Sequence, residues 1–417
     1  MDSEFRAAGQ AGGLDTAGSA LDAAPLRGFK DFYQYASTTR IIAGRDLLGS
    51  TGFEFQKEGA RRVFVVTDEV IRGTGLVERV EAGVADGGLE VAGVFDQVPQ
   101  DSSTEVCDRC AAAAKEAGAD SFLAVGGGSV MDTAKVADAV FTHGGGAAEQ
   151  EGFFLMPRED DGMGKPLDIA PLACIPTTAG TGSEVSMAAV IKDPERKVKI
   201  EIADFPLFPR LAILDPDSTR TLPAAIAAAT GMDAMTHAIE GYVSTDWSPH
   251  QDARSLHALR MIRDNLERAV QRGEQDEEAR GNMLIAANLA ITIALGSVHA
   301  MSHPAGAQFG VPHGVANAIH LPHVIEHNAA GGDDIADRYR DIGEVFDVSD
   351  PEIGPALAAY LTELIARLGL PTRLSEVGVP ESGIPALVEG AMGDGTTLLN
   401  PREMGEDDYA ALYRKAL

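Results

Sequence analysis

The stretch SFLAVGGGSVMDTAKVADAV, residues Ser121–Val140, decides the fold of this chain. Its first five residues form a short apolar run, which is typical of a strand buried on both faces of a parallel sheet. The glycine turn Gly126–Ser129 follows immediately, and Met131–Val140 then has a helical pattern. In such a turn the backbone can approach a ligand, and free N–H groups and the helix dipole face an anion. The stretch therefore predicts a βα unit suited to a pyrophosphate, although a tight structural turn would have the same residues.

Two further strands precede this unit. Arg62–Thr67, RVFVVT, is a short run of β-branched and aromatic residues, and Leu89–Phe95, LEVAGVF, follows a helical stretch at Gly75–Gly88. Cys107–Gly118 then has a helical pattern before the next strand begins. Strands that alternate with helices predict a Rossmann-like, doubly wound parallel α/β sheet.

The composition of the chain changes near Asp217. Leu211–Pro223, LAILDPDSTRTLP, contains the last strand of the alternating pattern. Strand patterns then nearly disappear, and Ala- and Leu-rich helical runs follow at Ala224–Thr230, Ser255–Gly273, Glu277–Ala300 and Pro355–Leu368. We therefore expect an α/β domain at residues 29–217 and an all-α domain at residues 218–417. Residues 1–28 have no helical or strand period, and we expect a disordered extension there rather than a signal peptide.

Composition limits the class of function. The chain has 417 residues, of which 45% are hydrophobic, and this is enough for two domains with cores of ordinary size. Its formal net charge of −29 argues against nucleic acid or an anionic membrane as a partner, because phosphate groups would repel this surface. The three cysteines make no disulfide framework and indicate a reducing, cytoplasmic compartment.

One segment has the length of a membrane span. Gly281–Ala300, GNMLIAANLAITIALGSVHA, is uncharged throughout but contains asparagine, threonine, serine and histidine side chains. We interpret it as a helix buried at the centre of the second domain, with His299 near its end.

Six of the ten histidines lie in Gly296–His327, GSVHAMSHPAGAQFGVPHGVANAIHLPHVIEH. His299 and His303 are four residues apart, so they share one face if this segment is helical. His313 follows a Pro-Ala-Gly connection and a second proline, and we therefore expect it on a different piece of backbone. Imidazoles that converge from two segments are typical of a metal site.

A carboxylate partner for these histidines lies upstream, in GMDAMTHAIEGYVS. Asp233 and His237 are at positions i and i+4 of a predicted helix and share one side of it. One carboxylate with three imidazoles is a plausible ligand set for a divalent first-row metal. Scattered core or surface histidines are the alternative, and we interpret His320, His323 and His327 in that way.

The residues around the glycine turn leave nucleotide binding open. In the dinucleotide fingerprint the glycines come first, and an acidic residue follows about 20 residues later. Here Asp68 comes before the glycines, and it is equally suited to cap a helix. Ile175–Ser186, IPTTAGTGSEVS, offers hydroxyl groups to a phosphate or a nicotinamide ribose, although a polar loop would have the same composition.

Five long blocks resemble the iron-dependent (group III) alcohol dehydrogenases, over nearly the whole chain from about Tyr33. They are GGGSVMDTAK at Gly126–Lys135, PTTAGTGSEVS at Pro176–Ser186, GMDAMTHAIE at Gly231–Glu240, HAMSHPAGAQFGVPHGVAN at His299–Asn317 and GDGTTLLNPREM at Gly393–Met404. One block alone would be a weak signal, whereas together they are specific. The resemblance implies the two-domain architecture shared with dehydroquinate synthases, with an α/β nucleotide-binding domain and a helical metal-binding domain.

The resemblance also implies roles for the residues at the nucleotide. The carboxylate that matches Asp68 contacts the adenosine ribose hydroxyls, which favours NAD over NADP. Lys199 is implied to face the cofactor, whereas without the resemblance it would equally suit a solvated strand edge. The other residues expected at the cofactor are Gly126, Gly127, Gly128, Ser129, Asp132, Thr177, Thr178, Thr181 and Ser183.

By the same resemblance, Asp233, His237, His299 and His313 hold the metal. Family members with this complete set are usually iron enzymes, so we expect Fe²⁺, with Zn²⁺ as the alternative; nitrogen and oxygen ligands suit both. The histidine that matches His303 lies beside the metal in the family. We expect it to relay a proton or to contact the substrate, and the alternative is that it only orients a ligand.

We therefore expect an NAD(H)-linked alcohol dehydrogenase or aldehyde reductase that acts on a small primary alcohol, diol or aldehyde at the metal. A zinc-dependent polyol dehydrogenase of the same superfamily is the first alternative. A lyase like the 3-dehydroquinate synthases would need several basic residues at the site, and the blocks around Asp233 and His299 are nearly free of them. A non-catalytic binding protein would have no use for an open coordination position. Homodimers or larger assemblies are common in the family, and by analogy we expect one here.

Overall fold

The computed structural model describes residues 33, 35–150, 169–196 and 198–417. The extension predicted at residues 1–28 lies outside the described residues. The strands are β1 (Arg40–Ala43), β2 (Arg62–Val66), β3 (Glu90–Phe95), β4 (Ser121–Gly126), β5 (Leu172–Pro176), β6 (Ala188–Asp193), β7 (Val198–Ala203) and β8 (Leu211–Leu214).

The helices lie between the strands in the first half and follow one another in the second half. They are α1 (Thr51–Gln56), α2 (Glu69–Arg72), α3 (Leu76–Asp86), α4 (Thr104–Glu116), α5 (Gly128–His143), α6 (Ala224–Val243), α7 (Pro249–Arg272), α8 (Glu277–Ala290), α9 (Ser297–Phe309), α10 (His313–Ala329), α11 (Asp333–Val345), α12 (Ile353–Arg367), α13 (Ile384–Met392) and α14 (Glu406–Ala416).

One parallel sheet contains six strands in the order β1, β8, β5, β4, β2 and β3. Successive side chains of its strands point to opposite faces. In β4, Phe122 and Ala124 pack with residues of α4 and α5, whereas Leu123 and Val125 pack with residues of α1 and α3. Helices therefore cover both faces, and this confirms the predicted doubly wound α/β sheet.

The strand order reverses between β2 and β4. The chain passes from β2 outward to β3 and then crosses back to form β4 on the other side of β2. Open α/β sheets bind ligands at the carboxyl ends of the strands, at such a reversal. Thr67, directly after β2, donates its hydroxyl hydrogen to the carbonyl of Val125 at 2.8 Å and ties the two strand ends together.

β6 and β7 form a separate antiparallel hairpin, which the sequence analysis does not predict. In β7, Ile200 and Ile202 are buried in the core on the α5 side of the sheet. Lys199 and Glu201 alternate with them and share the other face of the strand. This alternation is the pattern of a strand that is buried on one face.

The described chain beyond β8 is helical, which confirms the predicted all-α second part. α6 lies at its centre, because every residue from Gly231 to Val243 is buried. A helix buried on all sides must satisfy its own polar groups through neighbouring helices. Tyr33–Leu417 packs as one unit, so the predicted boundary between residues 217 and 218 stays a prediction.

The prediction of one helix at Glu277–Ala300 is wrong. α8 ends at Ala290, and His299 lies in the first turn of a separate helix, α9. Residues 291–293, Ile-Thr-Ile, are all β-branched, which lowers their helix propensity. Arg254 donates to two carbonyl groups at this end of α8, at 3.0 and 3.3 Å, and so satisfies acceptors that the helix leaves free. None of the described helices is long and apolar enough to cross a bilayer.

The predicted Pro-Ala-Gly connection before His313 is also wrong. Pro304 lies inside α9, which continues to Phe309 and ends at Gly310 with a φ of +70°. The ring of Pro304 packs against α13, where a Cβ at Gly390 would be only 2.6 Å from it, and this packing holds the proline within the helix. His313 nevertheless lies on a different segment, as expected, because it is the first residue of α10.

Candidate metal centre and nucleotide-binding edge

One face of α6 carries three ionisable side chains, Asp233, His237 and Glu240. Their spacing of four and then three residues aligns them along the helix. All three residues are buried, with 3%, 5% and 4% of their surface exposed. Ionisable groups this deeply buried need partners, and α9 and α10 supply them.

α10 begins in direct contact with α6. A Cβ at Gly314 would lie 2.2 Å from the carbonyl oxygen of Ala229, so only glycine permits this approach. As a result, Nε2 of His313 is 3.4 Å from Oδ1 of Asp233. His299, in the first turn of α9, has its Nε2 3.8 Å from the same oxygen.

Asp233, His299 and His313 converge on one place. One ligand atom from each lies within 4.8 Å of the other two. The amide nitrogen of Asn317 is 2.8 Å from Oδ1 of Asp233, and 3.3 and 3.2 Å from Nε2 of His299 and His313. This nitrogen is therefore within hydrogen-bond distance of all three atoms, which surround one position. His237 lies beside this group, and its ring stacks on His299 at 4.8 Å between centroids.

These donors suit a divalent cation. Two ligands at about 2.1 Å from one metal lie roughly 3–3.5 Å apart, which is close to the 3.4 and 3.8 Å between Asp233 and the two imidazoles. Nδ1 of His237 is 4.0 Å from Oδ2 of Asp233 and is buried without a hydrogen-bond partner in the described part of the chain. Such an orphaned atom is costly unless something binds it. Three nitrogens and one oxygen are a set that fits Fe²⁺ or Zn²⁺.

Burial favours the neutral form of two of these imidazoles. It lowers the pKa of His237 to about 4. Burial and the neighbouring imidazoles lower the pKa of His313 well below its usual value. Burial alone would lower the pKa of His299 too, but the Glu240 carboxylate outweighs it and raises this pKa. Neutral imidazole is the form that coordinates a metal.

Glu240 is a site residue that the sequence analysis misses. Its Oε2 is 2.5 Å from Nδ1 of His299, and its Oε1 accepts a hydrogen bond from the backbone N–H of Val298 at 2.7 Å. With Nδ1 bonded to a carboxylate, Nε2 of His299 is left as an acceptor that faces Asp233. Helical spacing could have identified Glu240, because it lies two turns after Asp233 on the same face of the helix. Asn317, one turn after His313, is missed in the same way.

His303 lies next to the convergent group. Its ring centroid is 5.5 Å from that of His313 and 5.9 Å from that of His299. Its Nδ1 is 2.7 Å from Oδ2 of Asp394, a residue from the C-terminal block. Nothing in the spacing of the sequence connects these two segments, which lie 91 residues apart.

Several predicted nucleotide-binding residues gather at the carboxyl ends of β2, β4 and β5. Asp68 follows β2 and caps α2, because its Oδ1 accepts from the N–H of Ile71 at 2.8 Å. Gly127 separates β4 from α5, whose first residue is Gly128. A Cβ at Gly128 would be 2.8 Å from the methyl group of Thr181, so the glycine turn touches the hydroxyl-rich loop.

Thr177 and Thr178 follow β5 beside the same turn. The backbone N–H of Thr177 donates to the carbonyl of Gly126 at 3.0 Å. The hydroxyl of Thr178 is buried and has no partner among the described residues. Its methyl group would be 3.3 Å from a Cβ at Gly127. This hydroxyl is therefore available to a ligand at the glycine turn.

Three other predicted cofactor residues are engaged within the protein. Oγ of Ser129 accepts from the backbone N–H of Asp101 at 3.1 Å. Ser183 donates to Oδ1 of Asp132 at 2.6 Å and accepts from Nζ of the fully buried Lys135 at 2.9 Å. The other oxygen of Asp132 accepts from a backbone N–H of β6 at 3.0 Å. These bonds support the hairpin, and a cofactor role for the three residues stays a prediction.

Lys199 is largely shielded from solvent, with 17% of its side chain exposed, and is not the solvated edge residue of the alternative interpretation. Its Nζ is 3.3 Å from Oδ1 of Asp101. Burial alone would raise the pKa of Asp101, but Lys199 and Lys192 outweigh it and lower this pKa. The charge of Lys199 also contributes to the lowered pKa of His313, so the hairpin lies near the convergent group.

The hydroxyl-rich loop joins the two sets of residues. A Cβ at Gly180 would lie 2.6 Å from the Cβ and the carbonyl oxygen of Thr230 in α6, so the loop packs directly against this helix. Asn288 of α8 donates to Glu184 at 3.2 Å. The same loop therefore contacts the glycine turn on one side and the helix of Asp233 on the other.

Two sequence profiles match this chain. The profile described as iron-containing alcohol dehydrogenase matches residues 38–216, and the profile described as the C-terminal part of the Fe-containing alcohol dehydrogenase family matches residues 227–417. The chain belongs to the iron-containing alcohol dehydrogenase family. The resemblance seen in the sequence blocks is thereby confirmed.

Individual members of this family align over nearly their whole length. The NAD-dependent methanol dehydrogenase of Bacillus methanolicus is 34% identical over 385 residues, which are 90% of this chain and 97% of that protein. The crystal structure of a 1,3-propanediol oxidoreductase has a TM-score of 0.85 and 33% identity, and the match covers 93% of this chain and 100% of that one. The sulfoacetaldehyde reductase of Bifidobacterium kashiwanohense, in complex with NAD⁺, has a TM-score of 0.81 and 28% identity over 92% and 98% of the two chains. The predicted enzyme class is confirmed: this chain is an oxidoreductase that acts on an alcohol or an aldehyde.

Proposed function

We propose that this chain is an NAD(H)-linked, metal-dependent alcohol dehydrogenase or aldehyde reductase. Asp233, His237, His299 and His313 hold one divalent metal in this proposal, and we expect Fe²⁺. The observation that carries it is the convergence of Asp233, His299 and His313, with His237 stacked on His299, beside the loop that also contacts the glycine turn. A metal at this place is adjacent to the predicted nicotinamide site, as hydride transfer requires.

The metal, when bound, supplies Lewis-acid polarisation of the substrate oxygen. The protein has three tasks around it. Glu240 holds His299 with Nε2 toward Asp233. Burial keeps His237 and His313 in the neutral, coordinating form. Asp233, His237 and His299 are buried, which strengthens the electrostatic interactions among them.

The nucleotide in this proposal is NAD(H). The glycine turn at the start of α5 offers its backbone to the pyrophosphate, and Thr178 offers a free buried hydroxyl. Asp68 carries a negative charge at the end of β2, which would repel the 2′-phosphate of NADP. The relatives named as NAD-dependent or bound to NAD⁺ support this choice.

The substrate class we propose is a small primary alcohol, diol or short aldehyde. The names of the relatives include methanol, 1,3-propanediol and sulfoacetaldehyde as substrates, and all of these are small. A zinc-dependent polyol dehydrogenase remains the alternative, since the donor set suits Zn²⁺ as well. Because the chain belongs to an oxidoreductase family, both of these dehydrogenase functions are favoured over a lyase function. A homodimer or larger assembly is part of the proposal by analogy.

The direct test uses protein purified without oxygen. NADH oxidation is measured with a panel of short aldehydes before chelation, after chelation, and after addition of Fe²⁺ or Zn²⁺. We expect activity to be lost on chelation and restored best by Fe²⁺, while NADH still binds the chelated protein in a fluorescence titration. Full activity in the chelated, metal-free protein would contradict the proposal. Better restoration by Zn²⁺ would favour the polyol dehydrogenase alternative.

A further inference from the structure

A carboxylate from the C-terminal block holds His303. Oδ2 of Asp394 is 2.7 Å from Nδ1 of the histidine, and only 14% and 13% of the His303 and Asp394 side chains are exposed. His303 belongs to the metal-binding block of the sequence, whereas Asp394 follows α13. The contact between His303 and Asp394 therefore depends on the tertiary structure, because the two residues are far apart in the sequence.

Asp394 is itself fixed in place. Its other oxygen, Oδ1, accepts from the backbone N–H of Thr396 at 3.0 Å and from the hydroxyl of Thr396 at 2.6 Å. Burial alone would raise the pKa of Asp394, but the bonds from His303 and Thr396 outweigh it and lower this pKa to about 2. The carboxylate therefore stays ionised and acts only as an acceptor.

The segment after Asp394 is also attached to the beginning of α9. Oδ1 of Asn400 accepts from the backbone N–H of Ser297 at 3.3 Å. The hydroxyl of Ser297 is 3.0 Å from that of Tyr409, which also contacts the hydroxyl of Thr397. The distance between this segment and the helix of His303 is therefore set by several independent bonds.

This arrangement decides which nitrogen of His303 carries the hydrogen. An ionised carboxylate accepts, so Nδ1 must donate to it. Nε2 is then left with a free lone pair, and it makes no hydrogen bond within the described part of the chain. The ring is stacked on His313 with an angle of 16° between their planes, so it lies directly beside the convergent group.

We propose that Asp394 is a positioning residue of the reaction: it holds His303 with Nδ1 protonated and Nε2 free to accept the proton of the alcohol. The inference rests on the proposed function and deepens it. During oxidation the substrate carbon gives a hydride to NAD⁺, the O–H bond breaks to form the carbonyl, and the proton moves to Nε2. Reduction of the aldehyde reverses each transfer. Asp394 itself neither gains nor loses a proton.

The test replaces Asp394 with asparagine, which keeps the shape of the side chain but can also donate a hydrogen bond. In ¹⁵N NMR spectra of the Zn²⁺-loaded protein, we expect the wild type to have the Nδ1–H form of His303 and Asp394→Asn to gain the Nε2–H form. We expect kcat to fall by about 10²- to 10³-fold, within the range for general acid–base catalysis. KM, NADH affinity and metal content should change less than threefold.

Matched variants separate positioning from a structural role. Asp408→Asn removes an exposed carboxylate that faces a different histidine, His327, and should leave kcat unchanged. In a His303→Ala background, Asp394→Asn should cause no further loss of kcat, because the two residues act as one unit. If Asp394→Asn does not fold, Thr396→Ala provides the same NMR and kinetic readout with a smaller effect.

If the folded Asp394→Asn variant keeps the Nδ1–H tautomer of His303, the inference is wrong. It is also wrong if the loss of kcat in the double variant equals the product of the losses in the two single variants. The NMR readout needs no turnover. A wild type that has the Nδ1–H tautomer but reduces no aldehyde would therefore refute the proposed function while supporting the positioning of His303 by Asp394.

Discussion

The candidate metal centre and the nucleotide-binding edge contact the same loop, yet they are built differently. Asp233, His237, His299 and His313 all lie within helices or at the first turn of one. The residues predicted at the nucleotide come from the ends of three different strands and the loops after them, from the start of α5 and from a hairpin. Helical spacing fixes which side chains share a face, whereas the direction of a side chain in a turn depends on what surrounds it.

The two regions also differ in how their polar groups are satisfied. At the metal centre, Nδ1 of His237 has no partner in the described structure, and the two amide hydrogens of Asn317 face three possible acceptors. Near the nucleotide edge, Asp132, Ser183 and Lys135 satisfy one another. We therefore expect substitutions at the first site to affect ligand binding and substitutions in the second network to affect folding.

The largest expected effect on stability is at Asp132. Asp132→Ala removes the carboxylate that lies 3.9 Å from Nζ of the buried Lys135, so that ammonium group loses its paired carboxylate. Loss of one partner of a buried pair typically costs about 3–5 kcal/mol of the free energy of unfolding. Urea unfolding measures this cost, and an NADH titration of the folded variant tests the predicted cofactor role of Asp132 separately. A stable variant with weak NADH binding would instead make Asp132 a cofactor residue.

The next effect is on metal affinity. Glu240→Gln keeps the size of the side chain but weakens its hold on Nδ1 of His299. Loss of such a partner typically reduces metal affinity by about 10- to 100-fold. Competition with a chelator of known affinity measures the change, and Glu267→Gln on the exposed end of α7 provides the control. Equal affinities for wild type and Glu240→Gln would mean that Glu240 supports only the backbone of α9.

A smaller effect is expected at the nucleotide edge. Asp68→Asn keeps the cap on α2, because asparagine caps helix N-termini as well as aspartate does. It removes the negative charge, so the ratio of kcat/KM for NADH over NADPH should fall by about 10-fold, equivalent to about 1.4 kcal/mol. Steady-state kinetics with both nucleotides measure the ratio. An unchanged ratio would leave Asp68 with its capping role alone.

The last prediction concerns a buried histidine outside both regions, whose effect on stability is small near neutral pH and grows as the pH is lowered. Burial lowers the pKa of His320 to about 3, below the ordinary 6.5. Between these pH values the unfolded chain binds a proton that the folded chain does not, so stability falls as pH is lowered. The slope approaches 1.4 kcal/mol per pH unit. Urea unfolding of chelated protein at several pH values should give a shallower slope for His320→Leu, whereas exposed His257→Gln should match the wild type. Equal slopes for all three would contradict this assignment.

The sequence predicts features that depend on local spacing better than contacts between distant segments. The spacing of Asp233 and His237 on one helix was readable, and so was the apolar run of β4 before its glycines. The break between α8 and α9 was not, because the apolar residues continue through it and only their β-branching signals an end. The pairing of His303 with Asp394 was not either, since contacts across 91 residues depend on the packing of α9 against α13.

Glu240 and Asn317 are instructive exceptions. Both lie at helical spacing from predicted ligands, and both contact those ligands in the structure. Carboxylate and imidazole side chains indicate a metal site by their chemistry, whereas the residues that orient them carry no such signal. A buried imidazole needs a partner on its second nitrogen, and a search for that partner one or two turns away would have found these residues.

The most direct test of the account is the metal content of the protein and of single alanine variants at its four proposed ligands. After anaerobic loading with Fe²⁺ and removal of free metal, elemental analysis should give one metal per wild-type chain. Each of Asp233→Ala, His237→Ala, His299→Ala and His313→Ala should bind far less metal while keeping the circular dichroism of the folded protein. One metal per chain in all four variants would contradict the proposed centre. Full binding by His237→Ala alone would reduce the ligand set to three.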